Sequence, residues 1–255
     1  MGITIHAGHA LRFTIATGAL VACGAVTFIA AARGDEAGFI EIYESWGNFT
    51  LAAPPPEMKP IVLQVPEAFR YGSSKGATRN WGLNLLTYYP NFTSPQAPEN
   101  ARFGLSCVGD CNGRILVSIN NRTHSIDDPR RFSSPNMGDY IARIDPLMPI
   151  GSTRTDLGPQ HGFDSGYEVM PASTGNGIDQ YLFHLSEDRI HYDLTARCSI
   201  NERAKKCTLH FSLKCNPAIY VQVVGIDIKQ IDGFVDAARK ADQFVTSMVR
   251  NPACV

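Results

Sequence analysis

The sequence has few charged residues and no excess of either sign. Charged residues make up 18% of the 255 positions, and 23 Lys and Arg stand against 24 Asp and Glu. The soluble average is about 25% charged. Nucleic-acid binding normally requires a basic surface, so we expect no nucleic-acid partner. The apolar fraction of 44%, without an internal repeat, also excludes a disordered, collagen-like or charged coiled-coil protein.

The sequence also lacks the common motifs of metal and cofactor chemistry. It contains no phosphate-binding loop, no dinucleotide-binding fingerprint and no H-E-x-x-H. The histidines are scattered, and we interpret them as surface residues. His191 and His210 fall on the outward face of adjacent predicted strands, but their register keeps them too far apart to share a metal. We therefore expect no cofactor, no metal site and no catalytic residue.

One short segment matches a catalytic motif. Gly72-Ser73-Ser74-Lys75-Gly76 fits G-x-S-x-G, the nucleophile elbow of α/β-hydrolases. In those enzymes the serine follows several strands and begins a helix. Here only about 13 residues separate it from the predicted start of the domain at Pro60, and the residues that follow do not have a helical pattern. Ser74 is therefore a weak candidate nucleophile.

The N-terminus carries the one long uncharged run. Residues 13–32 contain no charge, and Arg12 is the only basic residue before them apart from histidine. This pattern is typical of a cleaved signal peptide, an uncleaved anchor or a lipoprotein signal with Cys23 as the lipidated residue. All three predict that the remainder of the chain is exported, and the last two predict attachment to the membrane.

The mature chain divides into a linker and one domain. We assign residues 1–32 to the signal or anchor, 33–59 to a linker with three consecutive prolines, and 60–255 to a single α+β domain. Period-two alternation predicts strands, and helical spacing near the C-terminus predicts a helix begun by Asp232. The predicted fold is a mainly antiparallel β-sheet with this helix packed on it. The predicted strands are 61–65, 83–89, 114–120, 167–170, 180–185, 190–198, 207–215 and 220–228; a short helix is predicted at 139–145, a loop at 121–138, and 152–162 is predicted to be irregular.

Six cysteines remain once Cys23 is set aside, and an even number in an exported chain favours disulfides over zinc. The C-x3-C, C-x8-C and C-x7-C spacings are not those of zinc ligands. Cys198 and Cys207 flank the loop 199–206 on alternating strands; if they lie opposite each other, their Cα atoms are about 4.5–5.5 Å apart, within bonding reach. Cys215 is then roughly 26 Å along the ladder from Cys207, so it cannot bond Cys198. Cys254 is its remaining partner if Cys107 bonds Cys111.

Three segments give the chain a resemblance to a known family. They are Val65-Pro66-Glu67-Ala68-Phe69-Arg70-Tyr71, the segment Tyr89-Pro90-Asn91-Phe92-Thr93-Ser94-Pro95, and the pair Cys198…Cys207 on a hairpin before the C-terminal helix. Together they resemble small envelope proteins encoded beside type VI secretion phospholipase effectors. These relatives are immunity proteins, which reside in the periplasm, often as lipoproteins, and block a toxin by binding it.

The resemblance implies a periplasmic, membrane-anchored immunity protein whose partner is a cognate type VI lipase effector. It implies inhibition by covering the active site of the toxin. Loops carry such contacts more often than sheet faces, so the predicted toxin-binding residues are Arg130, Arg131 and Phe132 in the loop 121–138, with 199–206 as a second loop. Two other functions stay open: a structural envelope lipoprotein, and a secreted hydrolase that uses Ser74.

Overall fold

The computed structural model describes residues 37–45, 50–95, 113–122, 152–170, 177–187, 189–201, 205–250 and 254. Within these ranges the chain forms two β-sheets, one α-helix and short 3-10 turns. The strands are β1 (Ala37–Ile42), β2 (Ile61–Pro66), β3 (Arg79–Asn80), β4 (Gly82–Tyr88), β5 (Arg114–Asn121), β6 (Thr153–Leu157), β7 (Ser165–Met170), β8 (Gly177–Leu185), β9 (Tyr192–Asn201), β10 (Lys205–Ser212) and β11 (Ile219–Asp227); the 3-10 turns are Glu67–Phe69, Gly72–Ser74 and Ile228–Gly233, and the helix is α1 (Phe234–Thr246).

The large sheet has eight strands in the order β4-β5-β11-β10-β9-β8-β7-β6, and every neighbouring pair is antiparallel. The predicted strands 190–198, 207–215 and 220–228 form its middle as β9, β10 and β11. The small sheet has the order β2-β1-β3, with β1 antiparallel to β2 and parallel to β3. After α1 the chain returns beside β2, where the Gln64 N–H donates to the Met248 carbonyl at 2.8 Å.

Period-two burial makes one face of each sheet apolar. In β5, Ile115, Val117 and Ile119 are at most 2% exposed, while the residues between them are half-buried. This alternation directs every second side chain to the same face. The apolar faces of both sheets and the buried side of α1 form one hydrophobic cluster, which includes Ile40 from β1 and Phe234 from α1. The fold is therefore α+β with a mainly antiparallel sheet and a helix packed on it, as predicted.

The segment assigned to the linker contains a strand. β1 occupies part of 33–59, and its Ile40 and Ile42 are fully buried in the common cluster. The apolar alternation Ile40-Glu41-Ile42 is only three residues long, so it gave a weaker signal than the prolines that follow it. The prediction that the folded part begins at Pro60 was wrong.

Three further local predictions were wrong. The stretch 152–162 contains β6, whose exposed, polar side chains conceal its strand character. Asp232 does not begin the helix: β11 runs directly into a 3-10 turn in which the Asp227 carboxylate accepts from the Lys229 N–H at 3.0 Å. Ile190, predicted as the first residue of the strand 190–198, precedes β9 and is 71% exposed.

The predicted helix at 139–145 and most of the predicted loop 121–138 lie outside the described residues. Asn121, the first residue of that loop, belongs to β5, and its buried amide donates to the carbonyls of Ile42 and Lys59, both at 2.9 Å. Within the described ranges no helix is both long enough and apolar enough to cross a membrane.

Candidate functional site on the outer face of the large sheet

The candidate nucleophile Ser74 has a structural role. It lies in the 3-10 turn Gly72–Ser74, where it is fully buried, and its Oγ accepts a hydrogen bond from the Asn84 N–H at 3.1 Å. This contact joins the turn to β4. A nucleophile elbow requires an exposed serine at the start of a helix, and Ser74 meets neither condition.

The described histidines do not form a metal site. His184 Nδ1 lies 2.7 Å from the Asp193 carboxylate, and His161 Nδ1 lies 2.7 Å from Asp232. These are two separate pairs, and across the described ranges no three His, Cys, Asp or Glu side chains come together as metal ligands. His210 lies in β10 opposite Thr195 of β9, in the predicted register.

Two disulfides form as the sequence analysis paired them. Cys198 and Cys207 lie directly opposite each other in β9 and β10, with their Cα atoms 4.0 Å apart. Cys215, just after β10, is bonded to Cys254. The second bond ties the C-terminal end of the chain to the connection between β10 and β11, which holds the segment after α1 beside the small sheet.

Several predicted site residues lie outside the described ranges. They are Cys23, Cys107, Cys111, Arg130, Arg131 and Phe132. The predicted loop 199–206 is shorter than expected, because Ser199 pairs with Lys206 and Ile200 with Lys205 as continuations of β9 and β10. The flanking residues of this candidate loop are therefore strand residues.

The outer face of the large sheet, opposite the common hydrophobic cluster, carries a buried polar group. Tyr220 Oη lies 2.5 Å from His210 Nδ1, and the Gln222 side-chain amide donates to it at 2.8 Å. Nε2 of His210, Oγ1 of Thr195 and Oγ of Ser212 are buried without a hydrogen-bond partner. Burial, with a smaller contribution from the Arg197 charge, lowers the pKa of His210 to about 4. This imidazole is therefore neutral at neutral pH.

A cluster of aromatic side chains lies beside this polar group. Tyr167 stacks on Tyr181 with ring centroids 5.0 Å apart, and Phe183 is 5.6 Å from Tyr167 and 5.1 Å from Tyr192. Burial raises the pKa of Tyr181, so its hydroxyl stays protonated at neutral pH. We call Tyr167, Tyr181, Phe183 and Tyr192 the aromatic cluster.

Two arginines cover parts of the aromatic cluster. The Arg154 guanidinium lies 4.1 Å from the centre of the Tyr167 ring, and that of Arg197 lies 5.5 Å from the Tyr181 ring. Arg197 also donates to Asp179 at 3.1 Å. Tyr167 and Phe183 are only 6% and 3% exposed, so the centre of the aromatic cluster is a second hydrophobic core on this face.

On this face Tyr181 and Tyr192 are partly exposed and Arg154 and Arg197 are exposed, so these four side chains are the ones a partner could contact. The described histidine of this face is neutral and hydrogen-bonded, and its charged groups are already paired. The sequence analysis placed His210 on this face but did not find the aromatic cluster. Period-two spacing of Tyr181 and Phe183 in β8 was the signal that could have identified it.

Comparisons with known proteins are sparse. No protein-family model matches the chain, and no curated protein matches its sequence. Among solved structures, the chain is similar to Smlt3025, described as an immunity protein of the Stenotrophomonas maltophilia type IV secretion system. The identity is 13%, the match covers 85% of this chain and 95% of that one, and the TM-score is 0.49. At this identity and score the likeness assigns neither a family nor a function to the chain.

Proposed function

We propose that the chain is an immunity protein that binds and neutralises a toxin delivered by a bacterial secretion system. The observation that carries the proposal is that the three segments with the family resemblance pack in one hydrophobic core. Phe69, from the first segment, lies 5.3 Å from Phe244 of α1, and Phe92, from the second, lies 5.6 Å from the same ring. The third segment, Cys198–Cys207, belongs to the same hydrophobic cluster. Segments far apart in sequence thus build one core.

Arg70, from the first of these segments, adds to this argument. Its buried guanidinium donates to the carbonyls of Ala77 at 2.8 Å, Gly38 at 2.7 Å and Val65 at 3.3 Å. It therefore joins β1 and β2 to the chain that precedes β3. The resembling segments hold the fold together, and this supports a common architecture with the immunity proteins that the sequence resembles.

Location outside the cytoplasm is consistent with the two disulfides, since such bonds persist mainly in oxidising compartments. We propose that the protein is periplasmic and held at the membrane by residues 1–32, with Cys23 as the lipidated residue of a lipoprotein. An immunity protein there meets a toxin where the toxin attacks phospholipid. The finer proposal is that the toxin is a type VI phospholipase whose active site the protein covers, with Arg130, Arg131 and Phe132 as contacts.

Co-expression tests the proposal. The full chain is produced together with the effector encoded beside its gene, and the effector is directed to the periplasm. Because the solved structure described above is of a type IV system protein, the test uses both a type VI lipase and a type IV effector. We expect cells to survive with the cognate effector and to die with the others. Equal killing with and without the exported protein would refute an immunity role.

Two variants test the proposed toxin contacts and the proposed lipid attachment separately. Replacing Arg130, Arg131 and Phe132 together with Ala should abolish protection while leaving the amount of exported protein unchanged, if these residues contact the toxin. Replacing Cys23 with Ser should release the protein from the membrane fraction if it is a lipoprotein. A structural envelope lipoprotein would instead give an envelope defect on deletion without any toxin present.

A further inference from the structure

Strand β6 is the last strand of the large sheet in the described part of the chain. It pairs with β7 on one side, and among the described residues no segment pairs with it on the other. Its first four residues are exposed. Unpaired N–H and C=O groups along such an edge are a template for another strand.

The sequence of β6 is complementary to itself. Arg154 and Asp156 flank Thr155 and lie on the same face of the strand, where the Arg154 Nε donates to the Asp156 carboxylate of its own chain at 2.8 Å. If two copies pair antiparallel with Thr155 on the two-fold axis, each Arg154 lies opposite Asp156 of the second copy. The pair within each chain then becomes part of a four-charge group of alternating sign, and cross-strand neighbours of opposite charge stabilise a sheet while like charges destabilise it.

The neighbouring strand β7 offers an apolar contact that favours the same register. Thr153 pairs with Met170 of β7, which is 54% exposed. In the two-fold arrangement Leu157 of the second copy lies opposite Thr153, on the same face as Met170. The Leu157 side chain is only partly buried against the hydrophobic cluster of its own chain, and its exposed part would then cover part of the exposed Met170.

We propose that β6 is a homodimer interface, through which two copies of this chain join their large sheets into one continuous antiparallel sheet. The interaction is isologous, because the same five residues serve on both sides. The contact is small, so we expect a dimer that dissociates on dilution rather than a permanent one. This inference does not depend on the proposed function.

Charge reversal tests the register. The protein is purified after export, and its mass is followed by sedimentation velocity over a concentration series. We expect the R154D and D156R variants each to weaken the dimer about tenfold or more, since each replaces two opposite-charge pairs by two like-charge pairs. An equimolar mixture of the two should dimerise again, because the charges are then complementary between chains. The double variant R154D/D156R should dimerise like the natural chain.

A cysteine on the two-fold axis gives an independent readout. T155C places two thiols opposite each other at a Cα separation of about 4.5–5.5 Å, within disulfide reach, so it should form a covalent dimer on a non-reducing gel. T153C is the matched control, since its partner in the proposed register is Leu157, and it should remain largely monomeric. A natural chain that is monomeric at every concentration, single variants that dimerise like it, or equal cross-linking by T153C and T155C would each overturn the proposal.

Discussion

The buried histidine of the outer face makes the stability of the fold depend on pH. In the folded chain the pKa of His210 is lowered from 6.5 to about 4, mainly by burial and partly by the charge of Arg197. In the unfolded chain the ring is solvated and keeps its ordinary pKa. Protonation therefore favours the unfolded state. The stabilising effect is fully present above pH 6.5 and is lost as the pH falls from about 6.5 to about 4.

The size of this effect follows from the difference between the two pKa values. Each unit corresponds to about 1.4 kcal/mol, so complete protonation costs about 3 kcal/mol. Between pH 7 and pH 5 the unfolded ring becomes almost fully protonated while the folded ring stays mostly neutral. The expected loss in the free energy of unfolding over this interval is about 2 kcal/mol, a large part of the stability of an ordinary domain.

The perturbation that isolates this residue is His210→Asn. The shorter amide can occupy the position of Nδ1 and keep a hydrogen bond to the Tyr220 hydroxyl, but it does not titrate. Other ionisable groups contribute equally to the natural chain and the variant. The difference between their pH profiles therefore measures His210 alone, while the difference at pH 7 measures the change in packing.

Urea unfolding at pH 7, 6 and 5, followed by circular dichroism with the disulfides intact, is a suitable assay. The natural chain should lose about 2 kcal/mol more than His210→Asn between pH 7 and pH 5. His184→Asn is a matched control, because His184 is only partly buried and is paired with Asp193; its profile should keep the His210-dependent loss. If His210→Asn and the natural chain lose the same stability, the ring is not held neutral by burial and the reasoning fails.

Three further outcomes follow from named contacts. Ser74→Ala should lower the free energy of unfolding by about 1–3 kcal/mol in urea, because a buried N–H loses its acceptor, whereas exposed Ser73→Ala should change it little; equal effects would contradict the structural role. Arg70→Lys should lower the free energy of unfolding by about 2 kcal/mol or more in the same assay. A lysine ammonium cannot reach all three carbonyls that the Arg70 guanidinium binds. Replacing Cys215 and Cys254 together with Ala should lower the free energy of unfolding by about 4 kcal/mol. An unchanged free energy of unfolding would refute the Cys215–Cys254 bond.

The centre of the large sheet could be predicted because its signals are local and redundant. β9 and β10 alternate with period two, and opposed cysteines at 198 and 207 fix their register, so the pairing of residue 210 with 195 followed directly. Both strands have one fully apolar face, since both lie in the middle of a sheet over a helix. A slip of one residue would have turned that face to solvent.

Strands β6 and β1 could not be predicted for a physical reason. β6 contributes Leu157 to the edge of the hydrophobic cluster, but its other four side chains are polar and exposed, so no apolar alternation marks it as a strand. β1 is buried on one face, but it pairs with residues that lie 19 (Ile42 with Ile61) to 29 (Ala37 with Pro66) positions later. The partner of such a strand is not visible in a local window of sequence, and propensity alone does not reveal it.

The difference between buried and surface residues explains why the sequence indicated a family resemblance more readily than a binding partner. Each segment that carried the resemblance contributes buried side chains: Arg70 is 5% exposed, Phe92 is 4% exposed, and the Cys198–Cys207 pair is almost fully covered. Buried residues act on the stability of the fold, and their replacement changes binding only through the fold. In the proposed immunity function, the choice of toxin would depend on surface residues, for which an architecture sets no fixed pattern. The proposed toxin therefore has to be identified by co-expression, while the fold can be tested with purified protein alone.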